Sequence, residues 1–349
     1  MENKMVQTIV KVAVENGIRY IKDNPKRGVR NLLDLGEYFA SGRFQKVFFD
    51  LAHEILNNED SYYYEIIEDL VKNTNHNNLT VFGINLGYNS FTYGANIIRE
   101  NEKKHGYNIP WSIVFNFEEE SANNLTGEEI LNIISSGKNI GIYSYMIMLG
   151  KNDMWDILFD AFDEYNDCAF TLFVDQDIIN EEMVKKISNT PNLCTIVLIE
   201  NFEIQNNDNT TGKFNMLRKH KCLYGGYYRY DDSNAVNITN GTASSFLASM
   251  NLNFAAFMKK TGCSDRVAQS ISEYILNTRI KINSPMLFID FFGDHARVDE
   301  IISEEQCFLS INSDGQVCVS NIANKTKHNI RNASLEEILE DTMPEVKYI

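Results

Sequence analysis

Seven apolar runs that alternate with amphipathic helical stretches restrict the fold of this chain more than any other feature of its 349 residues. Their centres recur about every 25 to 32 residues, the length of one strand–loop–helix–loop unit. The runs are apolar throughout, as expected of parallel strands that are buried on both faces. The predicted strands are Trp111–Phe117, Ile140–Met148, Ala169–Val174, Cys194–Ile199, Cys222–Tyr230, Phe254–Met258 and Met286–Phe292.

Units of this kind, joined by right-handed crossovers, predict an α/β fold: a partial TIM-like barrel of the (β/α)6 type over residues 106–292. Residues 1–105 are predicted to be helical. Apolar side chains recur there at steps of three and four residues from Val6 to Ile21, and Asn24-Pro25 ends that first helix. Further helices are predicted over 29–39, 44–56, 62–72 and 79–99.

Residues 293–349 are predicted to form a small extension. Asp314-Gly315 marks the turn of a hairpin between strands at 308–312 and 317–319. Ser334 to Glu337 then carries the capping-box pattern that opens a closing helix.

The formal charge of −16 argues against a nucleic-acid partner, because such binding relies on a positive surface. The sequence has no apolar run of about 18 residues, so no membrane span and no secretory segment is predicted. We therefore expect a cytoplasmic protein.

Six cysteines are present, and none forms a C-x-x-C pair. Cys168, Cys194 and Cys222 lie in or beside predicted strands, where a thiol acts as a small apolar filler. Cys307 and Cys318 could face each other across the hairpin, but a reducing cytosol argues against a bridge.

Several short stretches occur in an order and at a spacing that carry a family resemblance. They are Lys104–Trp111, Gly137–Tyr145, Asp167–Phe173 and Ile178–Met183, with the tail segments Ile289–Phe292, Leu309–Asn312 and Ser334–Leu339. Together they resemble the clostridial-type radical S-adenosylmethionine (SAM) proteins that have a short SPASM-like C-terminal extension. The resemblance implies a radical-SAM-like barrel over 106–292 and a degenerate SPASM-like extension over 293–349.

The departures from this family fall on its cofactor site. The family holds an iron–sulfur cluster with three cysteines in the loop after the first strand, whereas the loop from Glu118 to Leu125 contains none. Because such a cluster is held by thiolates, the resemblance implies a barrel without its cluster and with no cofactor. The degenerate cluster-loop positions are Glu118, Glu119, Glu120, Ser121 and Asn123, and the degenerate SAM-motif positions are Leu149, Gly150, Lys151 and Asn152.

Two further family motifs are replaced. Asp175-Gln176-Asp177 stands where the family has Asn-Gly-Thr after the third strand. In the tail, Ser320 stands in place of a ligating cysteine, and Val298-Asp299-Glu300 in place of Gly-Gly-Cys.

Carboxylates follow most of the predicted strands, at the end of a β/α barrel where function gathers. Such a ring could hold a divalent ion or supply a general acid and base. Acidic residues make up about a seventh of the chain, so carboxylates at solvated loop ends are the preferred interpretation. Asp294-His295 is the most site-like pair, because histidine changes charge near neutral pH. Some tyrosines of the fifth strand are expected to fill the lumen. The pocket candidates are Asp175, Asp177, Glu200, Tyr228, Tyr230, Asp290, Asp294 and His295.

The dense basic run, Gly212–Lys221, is interpreted as the end of a helix, where cations are favoured by the helix dipole. Docking of an acidic peptide is the alternative for this run.

The sequence supports three hypotheses of function. The first is a catalytically inactive radical-SAM-like protein that binds a partner, either an active radical SAM enzyme or a peptide substrate. The second is a metal-dependent enzyme that uses the carboxylate ring, and the third is a small-molecule binding module in the residual SAM cavity. The sequence predicts no catalytic residue and does not define the oligomeric state.

Overall fold

The computed structural model describes residues 2–39, 43–119, 121–200, 202, 207–281 and 286–347, and its strands form one sheet. The strands are β1 Ser112–Asn116, β2 Ser144–Gly150, β3 Ala169–Val174, β4 Leu193–Leu198, β5 Tyr224–Tyr230, β6 Phe254–Lys259, β7 Leu287–Asp290, β8 Leu309–Asn312, β9 Gln316–Val319 and β10 Lys325–Asn329.

The helices before β1 are α1 Glu2–Asp23, α2 Pro25–Phe39, α3 Arg43–Leu56, α4 Tyr62–Asn73, α5 His76–Ile84 and α6 Ala95–His105, with a π-helix, Asn85–Gly94, between the last two. The helices after β1 are α7 Gly127–Asn139, α8 Trp155–Glu164, α9 Glu181–Ser188, α10 Asn207–Lys219, α11 Val236–Thr239, α12 Thr242–Ser249, α13 Asp265–Lys281, α14 Phe291–Ser303 and α15 Leu335–Thr342. A 3-10 turn, Gln176–Ile178, follows β3.

The sheet is open. Its order is β10-β9-β8-β1-β2-β3-β4-β5-β6-β7, and β1 to β7 each pair in parallel with the next strand. On its other side β1 pairs in parallel with β8. Because β8 occupies that side, β7 cannot pair with β1 and remains the last strand of the sheet. The predicted α/β fold with a parallel sheet is confirmed: β1 to β7 are successive parallel strands of a mixed α/β sheet that does not close. The finer prediction of a partial (β/α)6-type barrel stays a prediction.

The predicted hairpin is part of this same sheet. β8 and β9 are antiparallel, and Gly315 in their turn has a φ of +83°, a conformation that favours glycine. Because β8 also pairs with β1, the hairpin extends the main sheet and is not a separate appendage.

The last predicted parallel strand, 286–292, is shorter than expected. β7 ends at Asp290, whose carboxylate accepts the N–H of Gly293 at 3.1 Å and caps α14. Asp294 and His295 were predicted to follow a strand in a loop, and they lie instead in the first turns of this helix.

Helix α14 crosses the opening of the sheet. At its start, the ring of Phe291 packs against Phe173 of β3, with centroids 5.4 Å apart. One turn later the ring of His295 lies 5.2 Å from Trp111 before β1 and 5.1 Å from Phe308 before β8. The helix thus spans the gap that strand pairing leaves open.

Two apolar layers sit on the two faces of the sheet. The outer layer packs the sheet against the surrounding helices. The inner layer fills the space on the concave face of the sheet, the lumen, with side chains of six parallel strands, of α14 and of the segment before β8. Its buried members include Val114, Met148, Phe173, Ile196, Tyr227, Met258, Phe291 and Phe308.

The helices α4 to α6 and the π-helix between them lie at the amino ends of the strands. The side chain of Asn85 donates to the carbonyl groups of Asn166 and Cys168, both at 2.8 Å, and Asn89 donates to that of Asp167 at 2.9 Å. The predicted helix over 79–99 is thus interrupted by a π-helical segment whose amides hold the start of β3. Among the described residues, no helix is long and apolar enough to cross a membrane.

Asp299 of α14 joins three parts of the fold. Its carboxylate, fully buried, accepts the N–H groups of Trp111 at 3.4 Å and Cys307 at 3.1 Å. It also lies 3.2 Å from Nδ1 of His295. The Asp299 side chain therefore connects α14 with the segments that lead into β1 and β8.

We expect Asp299→Ala to lower the free energy of unfolding by about 3 kcal/mol, because it leaves two buried N–H groups without an acceptor. Denaturant unfolding followed by circular dichroism measures the change. Glu300→Ala, at the exposed next position of the same helix, is the matched control and should cost less than about 0.5 kcal/mol. Equal losses in the two variants would contradict this role of Asp299.

Candidate functional site

The carboxyl ends of the parallel strands form a rim that an ion pair bridges. On β5, side chains alternate between the two faces, which places Tyr227 in the inner layer and Arg229 two residues further on the same face. The guanidinium of Arg229 donates to the carboxylate of Glu118, which follows β1. The pair therefore reaches across the mouth of the lumen from the first strand to the fifth.

The lumen beneath this pair is packed. The ring of Tyr227 lies 5.3 Å from that of Phe173, which also contacts Phe291. The Arg229 guanidinium lies 5.5 Å from the centre of the Tyr227 ring. Burial raises the pKa of the Tyr227 hydroxyl, so this group stays neutral under Glu118 and Arg229.

Most rim carboxylates are already engaged by cations or by backbone. Lys151 lies 2.6 Å from Asp177 and 3.8 Å from Asp175, and its hydrogen bond lowers the pKa of Asp177. Lys260 lies 2.9 Å from Asp231. Within the described ranges, no three His, Cys, Asp or Glu side chains are grouped as metal ligands.

The described residues of the loop after β1, where the cluster-loop positions were predicted, form a hydrogen-bonded turn. The N–H of Ser121 donates to the Asn124 side chain at 3.0 Å, and the N–H of Asn123 donates to the Ser121 hydroxyl at 3.1 Å. The Ser313 hydroxyl donates to the carbonyl group of Glu119 at 2.7 Å. Glu120 lies outside the described residues.

Arg331, after β10, clamps this loop. Its guanidinium donates to the carbonyl groups of Asn123 and Asn124, at 3.0 and 2.9 Å, and to the carboxylate of Glu129 at 2.5 Å. Glu129 also completes the capping box of α7 with Thr126. The C-terminal segment therefore sets the shape of the loop that follows β1.

The donor set does not fit an iron–sulfur cluster. The ligands of such a cluster would be thiolates, and the described residues of the β1–α7 loop contain no cysteine. Five of the six cysteines are buried, and burial raises the pKa of Cys222 to about 12, with the same direction at Cys168, Cys194 and Cys307. Thiols held protonated in apolar surroundings are poor ligands.

The four residues at the predicted SAM-motif positions serve the fold locally. Gly150 has a φ of +58°, and a Cβ there would lie 3.4 Å from the side chain of Glu118. The amide of Asn152 donates to the carbonyl group of Phe117 at 2.8 Å, while Leu149 is buried in the outer layer. With Lys151 paired to Asp177, each of the four residues has an intramolecular role.

The structure brings together only part of the predicted site. Glu118, Asp175 and Asp177 lie at the rim, and Glu200 is exposed at the end of β4. Tyr228 and Tyr230 face the opposite way, into the outer layer, because alternation along β5 assigns the lumen to Tyr227. Asp290 ends β7 and caps α14, and Asp294 and His295 lie in the first turns of that helix.

Sequence reasoning missed Arg229, which closes the mouth. It expected some tyrosines of β5 to fill the lumen, as Tyr227 does, but named Tyr228 and Tyr230 as the pocket candidates. An arginine inside the otherwise apolar and aromatic β5 was the available signal, since a buried charge requires a partner. It also missed Arg279 and Arg297, whose guanidinium groups both contact Asp294.

A cavity of about 820 Å³, here called the basal cavity, lies between the N-terminal helices and the inner face of the sheet. Its walls are almost entirely apolar and include Val14, Phe48, Phe82, Phe91, Ile196 and Ile289. The polar groups gather mainly on α14 and the end of α13: Arg279, Asp294, His295 and Arg297.

No protein-family model matches the chain, and no curated protein sequence matches it. Solved structures of Streptococcus suis SuiB do. SuiB bound to S-adenosylmethionine superposes with a TM-score of 0.54 at 14% identity, over 70% of this chain and 66% of SuiB. SuiB bound to its precursor peptide SuiA gives a TM-score of 0.54 at 14% identity, over 72% of this chain and 69% of SuiB.

The chain thus spans just under two thirds of the SuiB structure that carries S-adenosylmethionine. At this identity the likeness defines the fold, a mixed α/β architecture built on a parallel sheet.

The Arg331 clamp predicts a pH dependence of stability. Hydrogen bonding from Arg331 lowers the pKa of Glu129 from its ordinary value of 4.5 to about 2. Ionised Glu129 therefore stabilises the fold above pH 4.5, and this contribution is lost as the pH falls from 4.5 towards 2.

We expect Glu129→Gln to be less stable than the wild type at neutral pH, and the two unfolding free energies to converge near pH 2. Urea titrations at a series of pH values measure this. Glu128→Gln, in the same helical turn, should follow the wild-type curve. A constant offset between Glu129→Gln and the wild type over this pH range would contradict the clamp.

Proposed function

We propose that this chain is a radical-SAM-like protein that carries no cluster, does not cleave SAM, and binds a peptide across the rim of its sheet. The observation that carries the proposal is the Glu118–Arg229 ion pair above a packed lumen, at the loop where the resembled family places its cluster ligands.

The packing supports the absence of radical chemistry. Phe173, Tyr227 and Phe291 fill the lumen directly below the mouth, and the loop after β1 is fixed by Arg331 and Ser313. A cluster would require thiolates where this loop supplies carboxylate, hydroxyl and amide groups. The residues at both degenerate motifs have taken structural roles, which explains how the fold persists without the cofactor.

Two observations favour a peptide as the partner. SuiB, whose fold this chain shares, has been solved with a precursor peptide bound. The rim also presents exposed carboxylates, among them Glu119, Asp153 and Glu200, on a chain with a net charge of −16. Charge complementarity at such a surface selects a peptide that contains lysine or arginine.

The alternative of a metal-dependent enzyme receives less support. Asp175, Asp177, Asp231 and Asp294 each contact a lysine or arginine, so their charge is already balanced within the chain. An active radical SAM enzyme remains the alternative partner, with the same rim as its contact surface.

The absence of a cluster is tested by anaerobic reconstitution with iron and sulfide, alongside a cysteine-ligated radical SAM enzyme treated in the same way. We expect no stoichiometric iron, no cluster absorbance and no 5′-deoxyadenosine from SAM. Cys263→Ser removes the one cysteine that is not buried and controls for adventitious iron. Stoichiometric iron that survives in this variant, with SAM cleavage, would refute the proposal.

Peptide binding is tested by selecting a random peptide display library against the purified chain. We expect enriched peptides to contain lysine or arginine and to bind more weakly at high salt. The double variant Glu119→Gln/Glu200→Gln should weaken binding about tenfold.

The matched control is Asp163→Asn/Glu164→Gln, which removes two exposed charges at the end of α8, away from the rim. The control should retain wild-type affinity. Equal weakening in both double variants would show that net charge, and not the rim, attracts the peptide.

A further inference from the structure

We infer that the basal cavity binds an aliphatic carboxylate, a molecule with an apolar chain and one anionic end. The inference goes beyond the proposed function, because the cavity and the rim lie on opposite sides of the aromatic layer formed by Phe173, Tyr227 and Phe291.

The size and walls of the cavity define the body of the ligand. Its volume of about 820 Å³ lies within the range of about 300–1,000 Å³ that small-molecule sites occupy. Side chains from α1, α2, α3, α5, the π-helix and the inner face of β2, β3, β4, β6 and β7 line it, and most of these are apolar. Cavities of this character take apolar ligands readily.

A group of charged side chains at one end of the cavity defines the anionic head group of the ligand. The carboxylate of Asp294 is shared by two guanidinium groups, with Nη1 of Arg279 at 2.9 Å and Nη1 of Arg297 at 2.7 Å. Among the side chains that line the cavity, these two guanidinium groups face one carboxylate, so the charged lining is net positive; the neighbouring carboxylates of Asp290 and Asp299 are outside the lining. Arg297 also donates to Ser272 at 2.8 Å, and a guanidinium has five N–H donors, so it retains capacity for a second carboxylate.

His295 adds a second polar atom at the same end. Its side chain is 3% exposed, and Nδ1 lies 3.2 Å from Asp299. Within the described part of the chain Nε2 has no hydrogen-bond partner, and His295 lines the cavity. A buried ring nitrogen without a partner is costly. With Nδ1–H beside the acceptor-only carboxylate of Asp299, Nε2 of the neutral ring is an acceptor, so a water that bridges it to the ligand carboxylate would satisfy both groups.

The distribution of polarity favours an aliphatic chain over a peptide segment. A peptide backbone carries an N–H and a carbonyl group at every residue, and walls made of aliphatic and aromatic side chains would leave most of them unsatisfied. An alkyl chain with one terminal carboxylate requires polar partners at one end only. The cavity has its polar side chains at one end and apolar walls elsewhere.

The entrance lies at α3. Val47, Phe48 and Leu51 line the cavity and are also about half exposed, so they connect its interior with solvent. An apolar chain can therefore enter between α3 and the sheet.

The test uses the full chain, freed of lipid, with dodecanoate, dodecan-1-ol and dodecylamine as matched probes. Isothermal titration calorimetry below the micelle concentration gives affinities, and native mass spectrometry gives stoichiometry. We expect one dodecanoate per chain, about tenfold weaker binding of the alcohol, and weaker binding still of the amine. Arg297→Met should remove the preference for the acid, and Arg297→Lys should restore part of it.

The location is tested by filling the cavity. A Cβ at Gly83, which lines the cavity, meets no atom within 4 Å, so Gly83→Leu can project into the space without a clash at the Cβ. Gly212→Leu is the matched control, because Gly212 is equally unobstructed but lies on α10, outside the cavity. We expect Gly83→Leu to lower the affinity for dodecanoate at least about tenfold and Gly212→Leu to leave it unchanged.

Three outcomes would overturn the inference. Failure of dodecanoate to bind the folded chain refutes the ligand class. Equal affinities for acid, alcohol and amine refute the head-group assignment, and unchanged binding in folded Gly83→Leu places the ligand elsewhere. None of these results depends on whether a peptide binds the rim.

Discussion

The structure depends on how helix α14 covers the lumen of a sheet that does not close. β8 occupies the edge of β1 that a closed barrel would pair with its last strand, so α14 must span the opening. Asp299 makes this possible by accepting the N–H groups of Trp111 and Cys307, while His295 packs between Trp111 and Phe308. Through one buried carboxylate, these contacts hold the helix that follows β7 against the segments that lead into the neighbouring strands β1 and β8.

The same helix divides the interior into two regions. Phe291 joins Phe173 and Tyr227 in a layer across the lumen, with the Glu118–Arg229 pair above it and the basal cavity below. The region above the layer is the rim, which is charged and solvated at its margin and therefore suits a polar macromolecular partner. The lower region is apolar with one charged end, which suits a small amphiphile.

Much of the fold could be predicted from the sequence, because buried parallel strands leave an unmistakable apolar pattern. β3 has the predicted bounds, and the other parallel strands begin or end within a few residues of their predictions. Helix α14 was not predicted, since Met286 to Phe292 reads as one apolar run and the cap at Asp290 is a single hydrogen bond. On β5, Tyr228 and Tyr230 were predicted to line the pocket, whereas Tyr227 faces the lumen. All seven residues of this strand are buried or nearly buried, so its sequence shows no alternation of apolar and polar residues that would identify the inner face.

The sequence alone predicts the succession of parallel strands after residue 110 and most of the helices between them, and it places no cysteine in the loop after β1. Both are local properties of the chain. Only the tertiary structure decided that the sheet stays open, that Arg229 meets Glu118, and that Arg279 and Arg297 share Asp294 at the end of a cavity. Such contacts join side chains from separate elements, and no pattern within one element specifies its partner in another.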